Sequence, residues 1–243
     1  FKYVKKKHIK WEEKCLKLAD SVIVTSPSLK NIYSKINDNT HLITNGFKDI
    51  EETIESENFE IIYSGVMKSL QNPKLLWKVL YEISKSNLSF KKDFKLNLIG
   101  SFDKSIHQNK YLKKLKEKVV FKNYMSKDIL DKKLSLGKVF VLCDVNQIGG
   151  GNLIPGKFYH YLSYKIPIIA FSSLNSDTHN IIKETKSGNV FDFSNEIDLK
   201  NHILELYSNF KNGNYSININ DIEKYKYLNL SSELQSVIKK TNN

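Results

Sequence analysis

The residues best suited to chemistry lie between Asp144 and Phe171. Gly149, Gly150 and Gly151 lead into Asn152 and Leu153, and Pro155, Lys157 and His160 follow closely. Glycines lacking a Cβ can adopt positive φ and let a ligand approach the backbone. Pro155 suits a first helical turn, where its missing N–H is not needed. A helix opening here would offer free N–H groups and a favourable dipole to an anion, and Lys157 would add a point charge. His160 and Asn152 carry groups that can hydrogen-bond hydroxyls. No Gly-Lys-Ser/Thr and no Gly-x-Gly-x-x-Gly is present, so neither the phosphate-loop nor the dinucleotide fingerprint applies. A triple glycine by itself serves a flexible turn as well as an anion site.

The elements that must position these residues are legible on either side. Lys138 to Cys143 contains the continuous apolar run Val139, Phe140, Val141 and Leu142, the pattern of a parallel strand covered on both faces. Phe158, Tyr161 and Leu162 fall at i, i+3 and i+4, one face of a short helix. Pro167 ends that helix, and Ile168, Ile169 and Ala170 begin another buried strand. A glycine loop and helix at the carboxyl end of a central strand is where an open α/β sheet binds ligands.

The rest of the chain alternates in the same way. Residues 1–19 have helical spacing with Trp11, Cys15 and Leu18 on one face, and no start methionine, which suggests a beginning inside a larger protein. Ser21–Thr25 reads as a strand, Ser26 and Pro27 as a helix start, His41–Thr44 as a strand, and Asn45-Gly46 as a turn. The acidic stretch 49–58 reads as a linker. Strands are expected at Glu60–Ser64, ending at Gly65, at Phe94–Ile99, ending at Gly100, at Val119–Phe121 and at Gly188–Phe191. Helices are expected at Pro73–Lys85, Lys110–Lys118, Asp128–Leu136, Thr178–Thr185, Glu196–Phe210 and Ile222–Lys240, with 211–220 a loop. Repeated β-α alternation predicts an α/β fold, a Rossmann-like parallel sheet with helices on both faces.

Composition narrows the classes. The 243 residues are 40% hydrophobic, enough for one full core. No apolar run approaches the roughly 20 residues of a membrane helix, and no signal-peptide pattern is present, so a cytoplasmic location is expected. Cys15 and Cys143, far apart in sequence, read as reduced core thiols. The formal charge of +12 comes from lysine alone, since the chain contains no arginine. Arginine is the usual bidentate reader of guanine, so specific nucleic-acid recognition is not expected. Lys5-Lys6-Lys7 and the lysines of 110–118 suit either a solvated helix face or peripheral contact with an anionic membrane at its inner face. No zinc spacing, hydrolase elbow or paired acid/base carboxylates stand out.

Three blocks resemble glycosyltransferase family 4, the group 1 retaining enzymes of GT-B fold. They are Ala19-Asp-Ser-Val-Ile-Val-Thr-Ser26, Ile43-Thr-Asn-Gly-Phe47, and Leu153-Ile-Pro-Gly-Lys157 with His160-Tyr161-Leu162 and Lys165-Ile-Pro167-Ile-Ile-Ala170. The resemblance implies the carboxyl-terminal half of a GT-B fold plus the remnant of a second α/β domain. Residues 1–48 would end an acceptor domain, 49–58 would link, 59–212 would bind the donor, and 213–243 would pack back toward the first domain. It implies transfer of a sugar from a nucleotide-diphosphate sugar, with no cofactor and no metal, to a glycan or lipid-linked acceptor in polysaccharide or cell-surface glycan synthesis.

Carried onto this sequence, the resemblance gives donor-binding roles to Gly65, Lys68, Tyr124, Met125, Gly149, Gly150, Gly151, Asn152, Leu153, Lys157 and His160. Lys157 and Lys68, or Lys74, would stabilise the diphosphate leaving group, because Val66 stands where the family has arginine. The family's two donor-site glutamates fall on Asn152 and His160, and neither is acidic. A non-catalytic nucleotide-sugar or polyanion-binding module with a lapsed donor site is the alternative, and a two-domain nucleotide-sugar epimerase a third.

Overall fold

The computed structural model describes residues 2–50, 54–145 and 153–241. The chain opens with α1 (Lys2–Leu18), β1 (Val22–Val24), α2 (Pro27–Tyr33) and β2 (Thr40–Leu42), and β1 and β2 pair in parallel. Ser26 caps α2 by accepting from the Leu29 N–H, and Pro27 occupies its first turn. The larger unit contains β3 (Phe59–Met67), α3 (Lys74–Ser86), α4 (Leu88–Asp93), β4 (Phe94–Phe102), α5 (Lys104–His107), α6 (Lys110–Lys114), β5 (Val119–Lys122) and α7 (Lys127–Leu134). It continues with β6 (Val139–Cys143), α8 (Gly156–Leu162), β7 (Ile168–Phe171), α9 (Asp177–Thr185), β8 (Gly188–Phe191) and α10 (Glu196–Lys211). The last helix is α11 (Tyr227–Thr241).

The main sheet runs β5-β4-β3-β6-β7-β8, with every pair parallel. Successive strands build outward from β3 in one direction and from β6 in the other. The reversal falls between β3 and β6, and in an open parallel sheet the crevice beyond that point is where ligands bind. Period-2 alternation divides the core. Ile61 and Tyr63 of β3 join Leu76, Trp77 and Leu80 of α3 and Leu199 and Ile203 of α10 on one face. Ile62 joins Leu134 of α7, Phe158, Tyr161 and Leu162 of α8, and Ile182 of α9 on the other.

The α/β expectation holds, with local differences. Strand β3 runs past Gly65 to Met67 and β4 past Gly100 to Phe102, because the two remain paired through Met67 and Phe102. Helix α4 was not anticipated; Asn87 caps it by accepting from the Phe90 N–H. The expected basic helix over Lys110–Lys118 is broken at Leu115 into α6 and a 3-10 turn at Lys116–Lys118. The expected tail helix is likewise split, with a 3-10 turn at Glu223–Tyr225 before α11. Cys143 is buried as expected, but Cys15 is exposed. It shares an uncovered face of α1 with the exposed Trp11 and Leu18, so the helical periodicity there does not mark a core contact.

Contacts join the two units. The Phe47 N–H donates to the Tyr225 carbonyl and the Tyr227 N–H to the Phe47 carbonyl. Ile43 packs with Leu230 and Val237 of α11, and Lys226 pairs with Asp49 at 3.0 Å. The Asp177 carboxylate, in the first turn of α9, accepts from the Ser28 N–H at 3.0 Å and the Ser28 hydroxyl at 2.9 Å.

Candidate functional site

The carboxyl ends of β3 and β6 and the start of α8 meet at one point. Gly65 in β3 has φ +116°, a conformation open to glycine, and a Cβ there would stand 2.9 Å from Lys157 Nζ. Lys157 reaches this position from the first turn of α8. Its ammonium donates to the Tyr63 hydroxyl at 2.8 Å and lies 4.0 Å from the centre of that ring. Tyr63 in turn donates to the Val66 carbonyl at 2.6 Å. Burial pulls the Lys157 pKa down to about 8, against the opposing pull of Cys143 and Asp144. The Asp144 carboxyl, directly after β6, is pushed up by burial and partly restored by the Ser172 hydroxyl, which donates to it at 2.5 Å.

Beside Lys157 opens a cleft of about 760 Å³. Gly46 to Ile50 form one wall, and α7 with the start of α8 forms the other, through Lys127, Asp131, Gly156, Lys157 and His160. His160 lies one turn beyond Lys157. Its Nε2 stands 2.9 Å from Asp131 Oδ1, and the Tyr164 hydroxyl donates to the same oxygen at 3.1 Å. Burial lowers the His160 pKa, with Asp131 opposing, so the neutral imidazole dominates at neutral pH.

The structure thus brings Gly65, Lys157 and His160 together. Lys68 follows β3 in an exposed position, its N–H bonded to Gln71 Oε1. Val66 is also exposed, and Lys74 starts α3. Tyr124 and Met125 lie in the loop after β5 and do not line the cleft. Tyr124 is 76% exposed, and Met125 packs against the core beneath α7 and α8. Leu153 is exposed. Gly149, Gly150, Gly151 and Asn152 lie outside the described residues. Sequence reasoning passed over Tyr63, Asp131 and Asp144. An isolated tyrosine or aspartate carries no signal until the strand order sets its neighbours. Among the described residues no group of His, Cys, Asp and Glu is arranged to hold a metal, and no helix is long and apolar enough to cross a membrane.

A six-stranded parallel sheet that reverses between β3 and β6, with helices on both faces, has the Rossmann-like architecture of GT-B folds. The family model for glycosyl transferases group 1 matches residues 46–221, and the chain belongs to that family. The Staphylococcus aureus TarM variant in complex with fondaparinux, α-GlcNAc-glycerol and UDP superposes with TM-score 0.65 at 20% identity, covering 98% of this chain and 47% of that one. Sucrose-phosphate synthase from Thermosynechococcus elongatus gives 0.66 at 15% identity, covering 97% and 61%. Anabaena HepE in complex with UDP gives 0.67 at 11%, covering 91% and 64%. The chain therefore spans about half to two thirds of the length of these structures. No curated protein sequence matches it.

Proposed function

We propose that this chain is the donor-binding part of a retaining glycosyltransferase of family 4 type, which moves a sugar from a nucleotide-diphosphate sugar to a glycan or lipid-linked acceptor. The observation that carries the reading is the Lys157 ammonium, held at the sheet reversal against Gly65 and Tyr63 from the first turn of the helix that borders the cleft. A cation fixed there is in place before the reaction, so no reorganisation is needed as the diphosphate gains charge on leaving. A diphosphate beside it would also restore the full charge of a lysine whose pKa burial has lowered to about 8. The membership in group 1 supports glycosyl transfer, and the UDP held by TarM and HepE favours a uridine nucleotide.

In this reading α8 presents Lys157 to the diphosphate, Lys68 adds a second cation from the segment after β3, and His160 faces the nucleoside. Gly149, Gly150, Gly151 and Asn152 are assigned to the sugar, and Tyr124, exposed in the segment after β5, to the base. The wall at Gly46–Ile50 belongs to the acceptor side, so both substrates meet in one cleft.

Thermal stabilisation by UDP-, GDP-, ADP- and dTDP-sugars tests this directly, because a ligand that binds only the folded state raises its melting temperature. One nucleotide class should shift the wild type and fail to shift Lys157→Ala. Absence of any shift at millimolar nucleotide, with salt-sensitive binding to unrelated polyanions, would replace it with a lapsed-site, charge-driven module.

A further inference from the structure

We propose that the pocket between the outer strands β4 and β5 and the end of α7 is a second anion site, which takes a phosphate monoester group on the ammonium groups of Lys95, Lys122 and Lys133. It lies outside the donor cleft, and it stands whether or not the cleft binds a nucleotide sugar.

The sheet face beneath α7 should be apolar throughout. It buries Ile62 of β3 and Ile99 of β4, and side chains two apart on a strand share a face. The parallel register pairs Glu60 with Lys95, Ile62 with Asn97, and Ile99 with Lys122. Glu60, Lys95, Asn97 and Lys122 therefore stand on the same face as the two isoleucines, a polar patch where the pattern calls for core. Glu60 is 6% exposed, and the other three are half-buried. Lys133, from the last turn of α7, adds a third half-buried lysine. These residues line a cavity of about 240 Å³, with the exposed Glu117 at its rim. Breaks of this kind in a core pattern are where a fold gives up stability for function.

The charges in the pocket are not matched. Asn97 Nδ2 donates to Glu60 Oε2 and fixes the buried carboxyl. Among the described residues, none of the three ammonium groups forms a direct ion pair with a carboxylate. Instead the Lys122 ammonium faces that of Lys133. Burial lowers the Lys122 pKa most, the like charge of Lys133 lowers it further, and Glu60 opposes. Like charges held together away from water are costly, and a bound dianion offsets that cost. Three lysine point charges around one cavity suit the oxygens of a phosphate, whereas chloride or acetate brings a single charge. The cavity is far smaller than the donor cleft of about 760 Å³, so it admits a phosphate with a small substituent and not a whole nucleotide sugar. Glu60 and Lys95 also stand near the amino ends of β3 and β4, whereas Gly65 and Lys157 meet near the carboxyl end of β3.

The experiment is titration calorimetry of the purified chain with inorganic phosphate and with glycerol 3-phosphate, at an ionic strength held constant with sodium chloride. The proteins are wild type, Lys122→Gln, Lys133→Gln, Glu60→Gln, Lys157→Met, and Lys6→Gln as a control for bulk charge; their melting temperatures report folding. Lys122→Gln and Lys133→Gln should each weaken phosphate binding by about tenfold. Glu60→Gln keeps an oxygen for the Asn97 amide and removes the one buried negative charge, so it should bind phosphate more tightly, a gain that misfolding cannot mimic. Lys157→Met and Lys6→Gln should bind as the wild type does. Flotation with phosphatidylcholine vesicles, with and without phosphatidic acid, identifies the source of the monoester. Binding of phosphatidic acid that Lys122→Gln abolishes assigns a lipid headgroup, and binding of glycerol 3-phosphate without vesicle binding assigns a soluble metabolite. No phosphate binding at millimolar concentration overturns the proposal. So does binding lost in Lys157→Met but kept in Lys122→Gln and Lys133→Gln, or weakened equally in Lys6→Gln.

Discussion

Replacing Lys157 by methionine should stabilise the protein while abolishing donor binding. The ammonium pKa falls from 10.5 to about 8 through burial. At about 1.4 kcal/mol per unit, holding the charge in the free protein costs up to about 3 kcal/mol, offset in part by the Tyr63 hydrogen bond and ring contact. The sign follows from proton binding. Below pH 8 both folded and unfolded chains carry the proton, and the cost is fully present. Between about pH 8 and 10.5 the unfolded chain keeps the proton and the folded chain sheds it, so stability rises with pH. Urea unfolding of wild type and Lys157→Met at pH 7 and pH 9.5 isolates this residue, because every other titrating group is common to both. The variant should be more stable at pH 7 by about 1–3 kcal/mol, and the gap should narrow at pH 9.5. Nucleotide affinity of the wild type should weaken over the same rise in pH. A constant difference between the two proteins across this range would refute a buried, depressed lysine at the sheet reversal.

Gly65→Ala should cost roughly 1–3 kcal/mol from its positive φ, and should also displace the Lys157 ammonium, which would lie 2.9 Å from the new methyl group. Its melting temperature and its nucleotide affinity should therefore fall together. In a double-mutant cycle, Ser28→Ala and Asp177→Asn should couple by about 0.5–3 kcal/mol in urea unfolding, since the Ser28 hydroxyl donates to the Asp177 carboxylate at 2.9 Å; strict additivity would show that this hydrogen bond contributes nothing. With a thiol reagent under native conditions, Cys15 should react and Cys143 should not until the chain unfolds, as counted by mass spectrometry.

The strands of the main sheet were legible because buried parallel strands leave continuous apolar runs, as at Val139–Leu142. Asn87 and Leu115 show where legibility failed. Six residues between a cap and a strand are too few for helical periodicity to register, so α4 escaped notice. The helix expected through Leu115 breaks there because its chain must turn into β5. Cys15 failed for a different reason. Helical spacing records that one face is less polar, and only the surrounding chain decides whether anything covers it.

The site divides along the same line. The spacing of Pro155, Lys157, His160 and Pro167 is local, and it alone set a short helix with a cation in its first turn and an imidazole one turn on. Which of 38 lysines matters is not local. That depends on β3 lying beside β6, so that Lys157 meets Tyr63, 94 residues earlier, and loses water on reaching it. Asp131 likewise gains its meaning only when α7 packs beside α8 and delivers a carboxylate to His160. Sequence spacing encodes the faces of single elements, whereas the order of parallel strands is settled by packing among distant segments. Packing therefore chose the residues that share a charge, a proton or a ligand.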